Sequence, residues 1–546
     1  MDTAEGRSKR ALTGTVAFVC LIVYALIRLY HARRTFNNLR EQGLPTTEWN
    51  WIFGGLLTLK KYMDMFPVDA DTKYALTEMA WKSDRGGVYV DLWPFTLPIL
   101  LISSPFLAAQ VNVQNTNARR FPGANEGIER ITGGPTMLTL PDIHWKQWRT
   151  VFNPGFSPSN ILGQTSKIVR CVEIFAAKLR DRADKSLLFQ LEEYTLRLTL
   201  DVIGAVALGK DFDYQNKDSA IPRSLRKMIE ATTLGAKFNP LYLLNPMPAL
   251  RLAYNDRIIR REIGAELEQC FLERKAGIKA EYQRGKSIIT LAMDTYMTEN
   301  KLQEEILDPV FKYQASVHLR LFMFAGHDTT SSTIIYTFHM LSQNPGCLSR
   351  IRAELDTVLG PDLSSAGAHL SNQPALANQM HYTTACIKET LRMCPPVGTI
   401  RAGNPDAILI DEDGTRYPTD GMIISVSHLA IHRNPRYYPD ADTFNPERWL
   451  VPTDHPLHPP KEAFRPFEHG ARNCIGQTLA MLELKIVLAL TVREFDVVPA
   501  YEKWEKLYPS GGKIKTAFGD RAYGVADTSG GSHAVHKYPC HVKVRA

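Results

Sequence analysis

The chain has no Asn-x-Ser/Thr acceptor, no Cys-x-x-Cys pair and no internal repeat. Missing acceptors disfavour a body displayed in the secretory lumen. The eight cysteines (Cys20, Cys171, Cys270, Cys347, Cys386, Cys394, Cys474 and Cys540) are scattered, which fits a reducing compartment better than a disulfide framework. No basic block with interleaved aromatics is present, so the net charge of +7 reads as a solvated surface and not as a nucleic-acid footprint. No glycine-rich dinucleotide fingerprint is visible, so electrons for any redox chemistry must come from a separate protein. Gly285-Lys-Ser looks like the end of a phosphate-binding loop, but Ala280 stands where its first glycine is required. His428 and His432 lie four apart without the glutamate of a His-Glu-x-x-His zinc site, and read as core or surface histidines. His533, His536, Cys540 and His541 cluster near the carboxyl end, where flanking Gly and Ser predict a loose tail or edge strand.

At 546 residues and 44% apolar composition, the chain can bury a large core. Length alone suggests three or four domains. Residues Ala11 to Ile27 carry no charge over 17 positions, about 26 Å as a helix. Tyr-His-Ala-Arg-Arg beyond it is a poor cleavage site, so the run reads as a retained membrane anchor over residues 11–28, behind a short segment 1–10. Three Lys or Arg residues precede the run and four follow, too even a balance to orient it. Residues 29–55 read as a linker, and 56–546 as the body.

Within the body, helical patterns are predicted at 160–183, 187–209, 254–284, 306–343 and 381–393, and strand-like pieces near 89–93, 98–103, 407–410 and 421–426. Residues 119–141 are rich in Gly, Pro and Thr and predict a long loop. The segment around 238–248 is apolar but broken by prolines, and could be core or dip into lipid beside the anchor. The 306–343 helix contains Phe324-Ala-Gly-His-Asp-Thr-Thr-Ser-Ser, a poor helix-forming run that predicts a functional kink.

The most informative stretch is Phe467-Glu-His-Gly-Ala-Arg-Asn-Cys-Ile-Gly-Gln. A thiolate that ligates iron must be kept deprotonated and screened from water. Phe467 can wall off the sulfur of Cys474, Gly470 and Gly476 permit tight turns and close approach to a flat group, and an apolar helix starting at Gln477 would aim unpaired N–H groups at it. The bland alternative is a buried structural cysteine after a glycine turn.

This run resembles the haem-binding loop of the cytochrome P450 family. Other signatures follow in the family's order: Trp145-Lys-Gln-Trp-Arg149, Ala325-Gly-His-Asp-Thr329, Glu389-Thr-Leu-Arg392, Pro446-Glu-Arg448-Trp and the cysteine loop, over about residues 45–546. The resemblance implies one mainly α catalytic fold with small β-sheets behind one transmembrane helix, which replaces the multi-domain expectation. It implies haem b with Cys474 as metal ligand, and cofactor contacts from Trp145, Arg149, Ala325, Gly326, Arg401, Phe467, Gly470, Arg472 and Gly476. Trp145, Arg149, Arg401 and Arg472 would grip propionates, and Gly326 would make room for dioxygen. Asp328 and Thr329 would relay protons, while Glu389, Arg392 and Arg448 would form a buried network bracing the loop. Phe322, Val397, Gly398 and Thr399 match substrate-contacting positions, with further pocket walls expected around 121–138, 238–250 and 395–400.

The implied function is insertion of one atom of O2 into a hydrophobic small molecule, with NADPH electrons delivered by a cytochrome P450 reductase, cytochrome b5 as a further partner, and a cytosol-facing body on the endoplasmic reticulum. No nucleic acid is implicated. The tail from Lys513 to Lys543 is similar to that of fungal members that tailor polyketides. The alternatives are desaturation, coupling or isomerisation on the same haem-thiolate centre, and, from another class, a non-catalytic haem carrier or sensor.

Overall fold

A computed structural model describes residues 4–114, 122–232, 245–277, 285–298, 305–509, 516–526 and 531–545. The body is organised around the helix Pro309–Gln343, most of whose residues are buried, among them the polar His318, Arg320, His327 and Asp328. A helix covered on most of its faces is a core element. Asp308 caps it, its carboxylate accepting from the backbone N–H groups of Val310 and Phe311, and Pro309 starts it where no N–H partner is needed. Helices Leu191–Ile203, Met247–Lys275, His381–Met393 and Gln477–Thr491 pack around it. One apolar cluster joins them, from Phe152 through Leu198 and Met323 to Ile387 and Val487.

The main sheet has four strands in the order Gly87–Val90, Ile99–Ile102, Ile423–Val426 and Thr399–Ala402, paired antiparallel, parallel and antiparallel. Val88, Tyr89, Val90, Leu100, Leu101 and Ile102 are all buried, so both faces of its first two strands are covered. A second sheet joins Phe189–Gln190, Pro539–Val544 and Phe495–Pro499, and two short hairpins complete the β content.

The helix predicted at 381–393 spans His381–Met393, and that at 306–343 spans Pro309–Gln343. The latter runs without a break, where a kink was expected. The hydroxyls of Thr329, Thr333 and Thr337 donate to the carbonyls of Ala325, Thr329 and Thr333, satisfying side chains that would otherwise compete with the helix. Residues 119–141, expected as loop, contain the helix Pro122–Thr132. The proline-broken stretch 238–244 lies outside the described residues.

The amino-terminal helix runs Ala4–Glu41, well beyond the expected anchor. Its part from Leu12 is long and apolar enough to cross a membrane, and Leu12, Phe18, Leu21, Tyr24 and Leu26 are exposed along it. The linker expected from residue 29 is therefore helical to Glu41, and its last turns dock on the body. Phe36 and Leu39 are buried, Phe36 stacks on Trp49 at 5.8 Å, and Pro45 and Thr47 bond to the backbone of Tyr89. Arg33, fully buried, pairs with Asp91 and donates to the carbonyls of Trp51 and Ile52 at 3.1 Å, while Trp49 Nε1 donates to Asp91 at 2.8 Å. Removing one partner of a buried pair costs about 3–5 kcal/mol, because the remaining charge is left uncompensated. Asp91→Ala is expected to lower the thermal unfolding midpoint by several degrees; an unchanged midpoint in differential scanning fluorimetry would show that the helix does not dock through Arg33.

Candidate active site

Cys474 ends a tight loop. Its N–H donates to the carbonyl of Phe467 at 2.9 Å, and Asn473 N–H donates to that of Gly470 at 3.2 Å. Gly470 has φ +82°, a conformation that requires glycine. Gly476 has an ordinary negative φ, and a Cβ there would lie 3.9 Å from the Cys474 sulfur. The helix Gln477–Thr491 begins directly after it. Cys474 has accessible surface, yet protein surrounds it closely enough that burial pushes its thiol upward. The N–H groups of Gly476 and Gln477 and the charge of Arg149 pull the other way without prevailing. The sulfur thus keeps accessible surface within a close-packed loop, and a bound metal would supply the charge that makes the thiolate.

The carboxylate-gripping cluster is only partly as expected. Arg149 donates from Nη1 and Nη2 to the carbonyl and side-chain oxygen of Asn473, both at 2.9 Å, so it clamps the cysteine loop itself. Arg472 pairs with Asp142 at 2.5 Å, donates to Leu140 O at 3.1 Å, and lies over the Trp145 ring at 4.7 Å. Arg401 has no carboxylate within ion-pair distance among the described residues. Burial lowers its guanidinium, Glu468 raises it and Arg472 lowers it further, so Arg401 is a cation that a nearby anion would relieve. Near the thiol of Cys474, that cation fits a flat iron cofactor carrying carboxylates: Cys474 would take the iron, and Arg401, with Arg472 and Trp145, its acid groups.

The bracing network is assembled as the sequence suggested, and extends further. Glu389 accepts from Arg392 at 2.9 and 3.0 Å, from Arg448 Nε at 3.2 Å, from the backbone N–H of Asn445 at 2.9 Å, and from Trp449 Nε1 at 3.0 Å. Arg392 also donates to the carbonyls of His432, Ala441 and Thr443. Every charge here is fully buried.

A second buried cluster was not anticipated. Glu468, in the left-handed region at φ 58°, accepts from Arg465, from Thr399 Oγ1 at 2.6 Å and from His428 at 3.1 Å. Burial would raise its carboxyl, but His428, Arg465 and Thr399 together hold it well below the usual carboxylate range. His428 stacks on His432, whose Nε2 meets the Arg465 N–H at 3.0 Å. Thr399 thus commits its hydroxyl proton to Glu468. Only the spacing of His428 and His432 hinted at this cluster; the partners come from distant loops.

On the central helix, Ala325 is exposed and Phe324, Gly326 and Thr329 are partly so, while Met323, His327, Asp328 and Thr330 are buried. Being four apart, Ala325 and Thr329 share one face, which packing leaves uncovered. Two expectations are corrected. Gly326 points at Ile203, where a Cβ would meet Cδ1 at 3.3 Å, so its missing side chain serves helix packing and not dioxygen. Phe322 is buried in aromatic contact with Phe152 and Phe156, each at 4.9 Å, and is core and not pocket wall. Asp328 is also buried, paired with His533 Nε2 at 2.9 Å. Val397 and Gly398 are exposed, and Phe467 is half-buried against the core. An open groove of about 1030 Å³ lined by Tyr336, His339, Cys394, Tyr501 and Asp520 contains none of the site residues expected from the sequence.

The family model described as "Cytochrome P450" matches residues 45–515. The chain is 34% identical to cytochrome P450 monooxygenase polC of Polytolypa hystricis (strain UAMH7299), over 100% of this chain and 98% of that protein. It is 31% identical to cytochrome P450 monooxygenase acrF of Aspergillus aculeatus (strain ATCC 16872 / CBS 172.66 / WB 5094), covering 84% and 95%. The fold is similar to the crystal structure of the cytochrome P450DA heme domain, with TM-score 0.68, 17% identity, and coverage of 92% and 98%. Matched by the family model over most of its length and to polC over its whole length, the chain belongs to the cytochrome P450 family and is an oxidoreductase.

Proposed function

We propose that the enzyme inserts one oxygen atom of O2 into a C–H bond of a hydrophobic small molecule, in a secondary-metabolic pathway of polyketide type. Its relatives polC and acrF bear the name monooxygenase, which supports the reaction class. We assign the anchor to residues 11–28 and the catalytic body to 56–546, on the cytosolic face of the endoplasmic reticulum, with NADPH electrons arriving through a reductase, and cytochrome b5 as an accessory donor.

The observation that carries the reading is the open face at Ala325 and Thr329 on a largely buried helix, in a body that also leaves the Cys474 sulfur accessible. Haem bound at Cys474 supplies the activation of dioxygen and the oxidising power. The chain's own residues do the rest. Arg401, Arg472 and Trp145 orient the group by its acid edge. Thr329 Oγ1 donates to Ala325 O at 2.9 Å, which leaves its lone pairs able to accept a proton on the open face. Asp328, next in the helix, provides a carboxylate that can take up a proton and pass it along the same path. Tight packing on the buried side, from Phe322 through Ile203, excludes water from the back of the helix.

The test is turnover with reductase, NADPH and apolar candidate substrates under labelled dioxygen. Product carrying one labelled atom is expected; substrate-dependent NADPH use yielding only unlabelled, dehydrogenated or coupled product would replace insertion with desaturation or coupling. Thr329→Ala is expected to retain haem while product per NADPH falls severalfold and peroxide rises. Coupling equal to wild type would remove Thr329 from the proton path.

A further inference from the structure

The carboxyl-terminal segment reads from sequence as a loose tail, yet its strand Ser532–Ala534 is buried against the centre of the catalytic helix. His533 Nε2 lies 2.9 Å from Asp328 Oδ1, and His533 Nδ1 lies 3.3 Å from Glu192 Oε2, on the helix Leu191–Ile203. All three side chains are almost inaccessible. Gly531 is packed so closely that a Cβ there would fall 2.6 Å from Asp328 Oδ2. Ser332, one turn beyond Asp328, donates to the carbonyl of Ser532 at 2.6 Å, and Ser532 N–H donates to Pro396 O at 3.0 Å. Ser532, next to His533, is thus fastened both to the helix and to the segment at Pro396.

We infer that His533 is a positioning residue for Asp328: its imidazolium, shared with Glu192, keeps the Asp328 carboxylate ionised and fixed beside Thr329, and so sets the efficiency of proton delivery. This rests on the reading that Asp328 and Thr329 handle protons. Burial works against charge on His533, but Asp328 and Glu192 together raise its affinity for a proton well above that of a free histidine. Two other charged or titratable groups of the described residues lie close by. His327, on the same helix, is held towards neutrality by burial, and Arg226 is committed to Glu193 at 2.7 and 2.8 Å. Two buried carboxylates without the cation between them would hold a proton more tightly, so the ionised fraction of Asp328 would come to depend on pH. The sign follows: without His533, ionised Asp328 is favoured as pH rises.

The test compares wild type, His533→Gln and Asp328→Asn as haem-loaded, full-length enzymes. In the ferrous carbon monoxide form of wild type, nitrogen NMR of the imidazole, assigned by its loss in the variant, is expected to show both ring nitrogens protonated through pH 8. His533→Gln is expected to keep its haem and thiolate spectrum, lose coupling severalfold at pH 7, and recover part of it by pH 8.5, where wild type is flat. A neutral imidazole at pH 7, or His533→Gln coupling like wild type at every pH while Asp328→Asn uncouples, would overturn the inference. Full coupling in Asp328→Asn would instead overturn the proton-handling reading beneath it. Should His533→Gln fail to hold haem, assignment through His533→Asn leaves the NMR result decisive.

Discussion

Cys474→Ser is expected to abolish the thiolate-type carbon monoxide spectrum and to reduce product formation to background. A serine hydroxyl keeps its proton where a metal-bound thiol does not, so the variant offers iron a neutral, weak ligand in the same loop. The loop itself should survive. Its turn is fixed by the Cys474 N–H to Phe467 O bond, by Gly470 at φ +82° and by the grip of Arg149 on Asn473, none of which uses the sulfur. Secondary structure and melting of the apoprotein should therefore match wild type. The sharp outcome is a spectral change without unfolding. Persistence of the thiolate spectrum in the serine variant would mean that another of the eight cysteines holds the iron. Cys171, Cys386 and Cys540 are poor candidates, because they are buried and their thiols are driven far upward by burial.

Glu389→Gln is expected to lose haem before it loses fold. The carboxylate compensates Arg392 and Arg448, all three fully buried, and accepts from Asn445 and Trp449 as well. Neutralising it strands two guanidinium groups. Burial already pulls Arg448 below its ordinary value with Glu389 as the opposing influence, so the variant removes the group that stabilises its charge. Removing one partner of such a pair costs about 3–5 kcal/mol. That loss falls on the segment 440–449, through Arg448 to Asp440 O and Arg392 to Ala441 O and Thr443 O. Pyridine haemochrome content per protein, together with a thermal melt, reads the effect. Full haem occupancy at an unchanged midpoint would show that the network is dispensable.

Much of this site was legible because its chemistry is local. The cysteine loop, the Glu389–Arg392 spacing and Pro446-Glu-Arg-Trp are short runs recognisable from residues a few positions apart, although Glu389 meets Arg448 only across 59 positions. The helix His381–Met393 was likewise bounded by its own periodicity and the prolines after it. What escaped depends on partners far along the chain. Gly326 was read as room for dioxygen because a glycine in a helix does not reveal which side its missing side chain faces; Ile203 decides that. Phe322 differs from Ala325 by a rotation that only packing against Phe152 and Phe156 makes visible. Glu468 sits inside the most telling motif, yet its partners Thr399 and His428 lie 69 and 40 positions away. His533 looked like part of a loose tail because its ion partners are on helices about 200 and 340 residues earlier. The docking of residues 29–41 was hidden for a similar reason: a buried arginine on an amphipathic turn resembles a solvated one until Asp91 is placed beside it.

The account stands on one bond between this chain and a metal. A crystal of the haem-loaded protein, with data collected on both sides of the iron absorption edge, tests it most directly. A single anomalous peak is expected at bonding distance from the Cys474 sulfur, with the porphyrin acid groups directed to Arg401 and Arg472. An iron peak held by any other side chain, or a porphyrin lying away from the Cys474 loop, would contradict it.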